Sequence, residues 1–216
     1  MSLLKPDFAF EDACGGGPCC GLDEVGRGPL AGPVVAAAVL IDRARIPEDV
    51  VARIDDSKKL SASKRALLFK YLHEYAVVAI EQASVEEIDD INILQASLLA
   101  MRRACLSLEK RAGLRMSMAL VDGNRAPKLH CRTQTIIKGD GKSLSIAAAS
   151  IVAKHFRDEL MKNLANDHPH YGWERNAGYG TAEHLKALEI HGVTPQHRRS
   201  FSPVSKRLVK ENSIIY

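Results

Sequence analysis

The stretch Gly21-Leu22-Asp23-Glu24-Val25-Gly26-Arg27-Gly28 sets two adjacent carboxylates directly ahead of a Gly-Arg-Gly turn. The apolar run Pro33 to Ile41 follows at once, so the acids stand between two strands expected to be buried. A carboxylate on a strand that packs against a core is costly unless something neutralises it. Clustered acids are neutralised most readily by a hard divalent cation, which prefers oxygen ligands. The turn then offers bare backbone amides and one permanent positive charge, a combination suited to phosphate. Metal-holding acids beside a phosphate-holding turn point to phosphodiester chemistry.

Two more acids stand at strand ends. Asp122 follows Ala119-Leu120-Val121 and precedes Gly123-Asn124; Asp140 follows Ile136-Ile137-Lys138-Gly139 and precedes Gly141. Ligands of an open α/β sheet gather where strands run into loops. Three strands could therefore converge Asp23, Glu24, Asp122 and Asp140 on one spot. Taken singly, Asp122 and Asp140 also read as ordinary turn residues, because Asp-Gly after a strand is common hairpin chemistry. Three acid-bearing strand ends in one chain favour the metal reading. Neighbours in a regular strand point to opposite faces, so for Asp23 and Glu24 to share an ion the strand must end or bulge. Gly26 makes room for that.

Asp56-Ser57-Lys58-Lys59-Leu60 is a polar loop ahead of a helix; Ser57, Lys58 and Lys59 read equally as a phosphate holder or as a solvated face. In Gly178-Tyr179-Gly180-Thr181 an aromatic between glycines is free to stack on a sugar or base, or to anchor the C-terminal region on the core. Residues 195–211 hold Arg198, Arg199, Lys206, Arg207 and Lys210 against Glu211. Such a tail follows a polyanion or forms a solvated surface helix. His168, His170, His184, His191, His197 and Trp173 lack zinc-ligand spacing and are expected on the surface or in packing.

The elements that must position these groups are legible in outline. The chain has 216 residues, 46% hydrophobic and 26% charged with a net charge of +4, as in an ordinary globular protein. Residues 1–18 read as a poorly ordered lead ending in Gly15-Gly16-Gly17-Pro18. Strands are expected at Cys19–Val25 and Pro33–Ile41, joined as a hairpin, then at Val77–Ala83, Met116–Val121 and Thr133–Ile137. A helix from Ser61 carries Leu67, Leu68, Tyr71, Leu72 and Tyr75 on one face. Ser84 and Glu87 have capping-box spacing. Ile91, Leu94, Leu98, Met101, Cys105 and Leu108 then mark an amphipathic helix stopped by Gly113. A long helix over 143–164 turns Ile146, Ala149, Val152, Ala153, Phe156, Leu160 and Leu164 inward, and Thr181 caps a final helix before Gly192. This order suggests an α/β domain with a mixed sheet, 19–164, and a small helical region, 165–216, that contributes to substrate binding. Five cysteines, an odd count without a CxxC pair, argue against a disulfide framework or structural zinc. No apolar run approaches 18 residues and the N-terminus lacks a charged n-region and h-region, so a cytoplasmic protein away from membranes is expected. A monomer is expected as well.

Taken together, Asp23 to Gly28, Asp56 to Leu60, Val121-Asp122-Gly123-Asn124, Lys138-Gly139-Asp140, Ile146 to Lys154, Gly178 to Thr181 and His197-Arg198-Arg199-Ser200-Phe201 resemble bacterial ribonuclease HII, in that family's order, over roughly residues 19–205. The resemblance implies a ribonuclease H-like fold and a Mg²⁺- or Mn²⁺-dependent endonuclease. It implies cleavage on the 5′ side of a ribonucleotide in duplex DNA or an RNA–DNA hybrid, and so removal of misincorporated ribonucleotides and RNA primers. By motif, the family's metal-site acids fall on Asp23, Glu24, Asp122 and Asp140, its substrate-reading turn on Gly26-Arg27-Gly28, and its sensing tyrosine on Tyr179. The lead before Cys19 matches no family motif.

Four carboxylates without a His or Cys partner suit octahedral Mg²⁺ or Mn²⁺ rather than Zn²⁺, and a pair of such ions suits in-line attack by water. A transposase- or resolvase-like nuclease would also use acids at strand ends, but would need a DNA-sequence reader, for which this chain has no clear candidate. A binding protein without catalysis would gain nothing from four acids that repel phosphate.

Overall fold

The Cys19–Val25 run forms strand β1, and the Val34–Ile41 run forms β2, antiparallel to it in unbroken register from Gly21↔Val39 to Val25↔Val35. A computed structural model describes residues 5–213, the side chains of 210–213 excepted. Strand β3 spans Ala76–Ala83, β4 Met118–Asp122 and β5 Arg132–Ile136. Among the described residues the five strands make one sheet, ordered β3-β2-β1-β4-β5. β1 pairs with β4, and β4 with β5, in parallel. β1 lies at the centre of this mixed sheet with β2 beside it, which is why β2 reads as a continuous apolar run and β1 does so only as far as Leu22, ahead of Asp23 and Glu24.

Helices α1 (Ala9–Asp12), α2 (Glu48–Val51), α3 (Ala62–Tyr75), α4 (Val85–Ala112), α5 (Leu144–Asp167), α6 (Trp173–Asn176), α7 (Ala182–His191) and α8 (Ser202–Ser213) complete the described chain. Ser61 caps α3 by accepting from the Lys64 amide. The Ser84 hydroxyl accepts from the Glu87 amide, and the Glu87 carboxylate from the Ser84 amide, the reciprocal pair expected of a capping box. α4 is broken at Asn92, whose φ of 66° is not helical and whose Oδ1 accepts from the Leu94 and Gln95 amides to start a second stretch. Leu67 and Phe156, expected inside, are exposed; the inward positions are taken by Leu68 and Arg157 beside them.

The chain divides into two compact units, and the division differs from the expected one. The first holds Met1–Val25, Val35–Gln82 and Leu98–His155; the second holds Gly26–Val34, Ala83–Ser97 and Phe156–Tyr216. The boundary in the long helix falls at 155/156 instead of 164/165, and two distant segments join the C-terminal one. Burial makes these groupings, and burial is not local in sequence.

In the first unit the small side chains Ala37, Ala147, Ala148, Ala149 and Ala153 pack with Val39, Ile41, Ile54, Leu68, Leu72, Ile151 and Val152. At Gly21 a Cβ would fall 2.1 Å from the Ser145 carbonyl carbon, so only glycine lets β1 meet the start of α5. Residues 5–18, expected as a poorly ordered lead, are built into this unit: Cys14 and Phe10 pack with Met118, Leu120, Ile136 and Ile146, and Glu11 is buried. Residues 1–4 of that lead lie outside the described residues. In the second unit Met161, Ala165, Tyr171, Trp173 and Ala187 form one core and Leu30, Leu188 and Val204 another. The Thr181-capped α7 is not the final helix: α8 follows, with Val204 buried and the Arg207 guanidinium donating to the Leu188 and Glu189 carbonyls at the end of α7. The Lys210 and Glu211 side chains of the expected basic tail lie outside the described residues.

Candidate active site

The acids belong to the first unit, and strand register aligns them. Leu22 pairs with Val121 across the parallel β1–β4 ladder, so Asp23 and Asp122, the next residues, follow at the same level on neighbouring strands. Asp23 is 6% exposed. Burial first, then the charges of Glu24 and Asp122, push its carboxyl well above the usual carboxylate range, while hydrogen bonds from Ser150 and the Glu24 amide pull the other way. Ser150 in turn lies 2.8 Å from the buried Ser57 hydroxyl. Ser57, read from sequence either as a phosphate holder or as part of a solvated face, is buried instead and supports Asp23 from inside. Of the end or bulge expected at Asp23-Glu24, the ladder shows no bulge: it runs regularly to Val25, where the strand ends one residue past Glu24, and Gly26 follows with φ +96°.

Asp122 ends β4, and its Oδ1 accepts from the Gly139 amide at 2.7 Å. Asp140 sits in the 3₁₀ turn Gly139–Gly141 and is 6% exposed. Burial, then Asp56, then Asp122 raise its carboxyl, opposed by Lys58 at 3.5 Å. Lys58, which burial alone would lower, is held above its ordinary value by Asp140, Asp56 and Asp23. Its ammonium is a cation that these acids meet in this unit. Lys59 instead pairs with Asp55 at 3.1 Å on the surface. Asp56 is a member that sequence reasoning passed over; its Oδ1 accepts from the Lys58 amide and shapes the loop that presents Lys58.

Among the described residues no three His, Cys, Asp or Glu side chains close into a ready metal-ligand set. The donor set nonetheless fits a hard divalent cation: all its donors are oxygens, and Asp23 is buried against like charges that its two hydrogen bonds do not offset.

The second unit holds the turn and the tyrosine. Gly26 has φ +96°, and a Cβ there would fall 2.1 Å from Arg157 Nε. Gly28 and Arg27 are exposed. Tyr179 is 47% exposed, and its Cε1 would stand 3.3 Å from a Cβ on Gly28, so the ring lies along the bare face of the turn. Arg198, expected to contact phosphate, does not face solvent. It is fully buried, and its guanidinium donates to the carbonyls of Gly26, Arg27 and Gly32 at 2.6–3.0 Å. Its carbonyl partners lie far along the chain, so its burial cannot be read from its own neighbourhood in the sequence. Arg157, not singled out from sequence, is its counterpart: it donates to Ala31, Pro33 and Ala177. Burial lowers Arg157 to about 10 and Arg198 to about 9, and both stay charged at neutral pH. Arg199 keeps an exposed side chain, while its amide and that of Ser200 donate to Asp89.

Behind Tyr179 the scattered histidines form a packed cluster. The Thr194 amide donates to His197 Nδ1, so His197 Nε2 donates to His184 Nε2 at 3.1 Å, and His184 Nδ1 donates to the Tyr179 carbonyl at 2.9 Å. Trp173 Nε1 also donates to His184. This chain of bonds requires both rings neutral, and burial lowers both, His197 to about 3.

The family model that matches is "Ribonuclease HII", over residues 20–204. The ribonuclease HII of Paramagnetospirillum magneticum is 58% identical over 204 residues, 94% of this chain and 99% of that one. Among solved structures, the ribonuclease H2 of Pyrococcus horikoshii OT3 is 25% identical with a TM-score of 0.75, covering 90% of this chain and 98% of that one. The fold is also that of Bst-RNase HIII, solved in complex with Mn²⁺, at 20% identity and a TM-score of 0.71 over 97% of this chain and 75% of that one.

Proposed function

Because this chain belongs to the ribonuclease HII family and is an endoribonuclease of the ribonuclease H2 type, we propose that Asp23, Glu24, Asp122 and Asp140 form its metal centre. The cleaved bond lies 5′ of a ribonucleotide embedded in duplex DNA or in an RNA–DNA hybrid. The family depends on divalent metal. The observation that supports this assignment is the Leu22↔Val121 register, which brings Asp23 and Asp122 level on adjacent strands at the charge of Glu24.

Two Mg²⁺ or Mn²⁺ ions, when bound, would supply Lewis acidity at the scissile phosphate and a nucleophilic water at neutral pH. The chain's own residues set the rest. The Gly139 amide aims Asp122, and the Ser150 hydroxyl aims Asp23. Lys58 offers a positive charge to an incoming phosphate oxygen. The bare backbone of Gly26-Arg27-Gly28 approaches the 2′-hydroxyl, the group that separates a ribonucleotide from its neighbours in DNA. Tyr179 lies flat on the sugar that follows, and Arg199 holds the backbone phosphate. The products carry a 5′-phosphate and a 3′-hydroxyl. No described helix is long and apolar enough to cross a membrane; we read the working form as a cytoplasmic monomer that clears misincorporated ribonucleotides and RNA primers.

The test is cleavage of a duplex with one embedded ribonucleotide beside an all-DNA duplex, across a Mg²⁺ and a Mn²⁺ titration. A single metal-dependent cut 5′ of the ribonucleotide is expected. Binding without turnover at any metal concentration would sink the assignment.

A further inference from the structure

The segment before β1 takes no part in the chemistry above, yet it carries a buried carboxylate. Glu11, on α1, is 8% exposed. Its Oε1 accepts from the Ser143 hydroxyl at 2.6 Å and from the Ser145 amide at 2.8 Å. These donors stand at the start of α5, where the first amides of a helix have no acceptor of their own. A negative charge there also meets the positive end of the helix dipole. Backbone bonds fasten the same segment: the Asp7 amide donates to the Lys142 carbonyl, and the Leu144 amide donates to the Asp7 carbonyl at 3.0 Å.

Asp140 lies immediately upstream of these bonds. The Ser143 amide donates to the Gly139 carbonyl at 2.9 Å, closing the turn that contains Asp140. The Gly139 amide donates to Asp122. A continuous set of bonds thus runs from Glu11 through Ser143 and Gly139 to Asp122, with Asp140 inside it.

We propose that Glu11 is a positioning residue for the metal centre, a helix cap delivered from the N-terminal segment that sets the Gly139–Ser143 turn and so the placing of Asp140 relative to Asp122. The proposal rests on reading Asp122 and Asp140 as metal ligands. Glu11 acts through one oxygen: Oε2 is buried without a protein partner among the described residues. The amide of Glu11→Gln keeps an acceptor oxygen for both bonds, whereas Glu11→Ala removes it.

Mn²⁺ binding to the whole protein without substrate, followed by calorimetry, tests this for wild type, E11A, E11Q and D140N, with hydrogen exchange read at the Ser145 amide. Loss of an outer group that orients a metal ligand costs about tenfold or more in metal affinity. E11A should therefore bind Mn²⁺ about tenfold more weakly and exchange faster at Ser145, with E11Q recovering most of both. An E11A affinity equal to wild type, beside a weakened D140N, overturns the role of Glu11 whatever happens to thermal stability. An unchanged D140N overturns the metal-site reading itself. If E11A does not fold, S143A, which removes only the hydroxyl donor, replaces it, and wild-type affinity there overturns the proposal in the same way.

Discussion

Asp23 and Asp122 follow directly after the paired residues Leu22 and Val121, on parallel strands that lie side by side in the sheet. Neighbouring strands are about 4.8 Å apart, so two carboxylates of like sign meet at short range with one of them buried. The Asp23 carboxyl is raised by its burial first, then by the charge of Glu24 and by that of Asp122.

Asp122→Asn is expected to leave the fold intact and cut turnover by orders of magnitude, since it keeps the side-chain volume and removes the charge. Without metal, its stability should equal or exceed that of the parent, because a repulsion is gone. Cleavage at a near-normal rate in saturating Mg²⁺ would remove Asp122 from the site.

The same pair predicts a pH effect in the metal-free protein. Asp23 holds its proton more tightly folded than unfolded, so its stabilising contribution is full below the unfolded carboxylate range and is lost as pH rises through the folded value. The melting temperature of the apo protein should therefore fall as pH rises through that window, less steeply in Asp122→Asn. Equal slopes in the two proteins would show that Asp122 does not act on Asp23.

Arg198 and Arg199, adjacent in sequence, should part company on substitution. Arg198→Ala leaves the carbonyls of Gly26, Arg27 and Gly32 without their donor, at about 1–3 kcal/mol for each buried group left unpaired. Against a typical domain stability of about 5–15 kcal/mol, that loss is severe and shows in denaturant unfolding. Arg199→Ala should leave the unfolding midpoint alone and lower the salt slope of substrate binding by about one unit. A stable Arg198→Ala with a reduced salt slope would restore Arg198 as a phosphate contact.

Tyr179 and Gly28 form the proposed gauge for the ribose. Stacking on a sugar or base is worth about 1–3 kcal/mol, so Tyr179→Ala should slow cleavage roughly 10- to 100-fold, at 1.36 kcal/mol per factor of ten. Discrimination against all-DNA duplex should survive, while the preference for a ribo-to-deoxyribo junction over continuous RNA should shrink. An unchanged ratio between those two substrates would leave Tyr179 as an anchor only. Gly28→Ala, with 3.3 Å to the ring, should be mild, and Gly26→Ala, with 2.1 Å to Arg157, should not be.

His197 gives the acid side of the stability profile. Burial, then His184 and His168, lower it to about 3, so the unfolded chain takes up a proton that the folded one refuses. Stability from this group is whole above pH ~6.5 and falls toward pH 3 by about 1.4 kcal/mol per unit. His197→Asn should flatten that limb of a melting curve series between pH 7 and 4. A parallel profile in the variant would put the acid sensitivity elsewhere.

The sequence alone determined what depends on neighbours in the chain. Strand and helix positions, the Ser61, Thr181 and Ser84–Glu87 caps, and the placing of the four acids on strands or in the turn that follows one are set by periodicity, turn chemistry and local hydrogen bonding, all within a few residues. The family was legible for the same reason, since its motifs are short and ordered. Tertiary structure decided what depends on partners far along the chain. It buried Arg198 and Ser57, exposed Leu67 and Phe156, recruited Gly26–Val34 and Ala83–Ser97 to the C-terminal unit, and turned the lead into a cap for α5 through Glu11. An arginine reads the same in sequence whether its donors meet water, a phosphate or three backbone carbonyls. Which of these it meets is set by the tertiary fold, because the carbonyls that Arg198 meets, of Gly26 and Gly32, lie more than a hundred residues away in the chain.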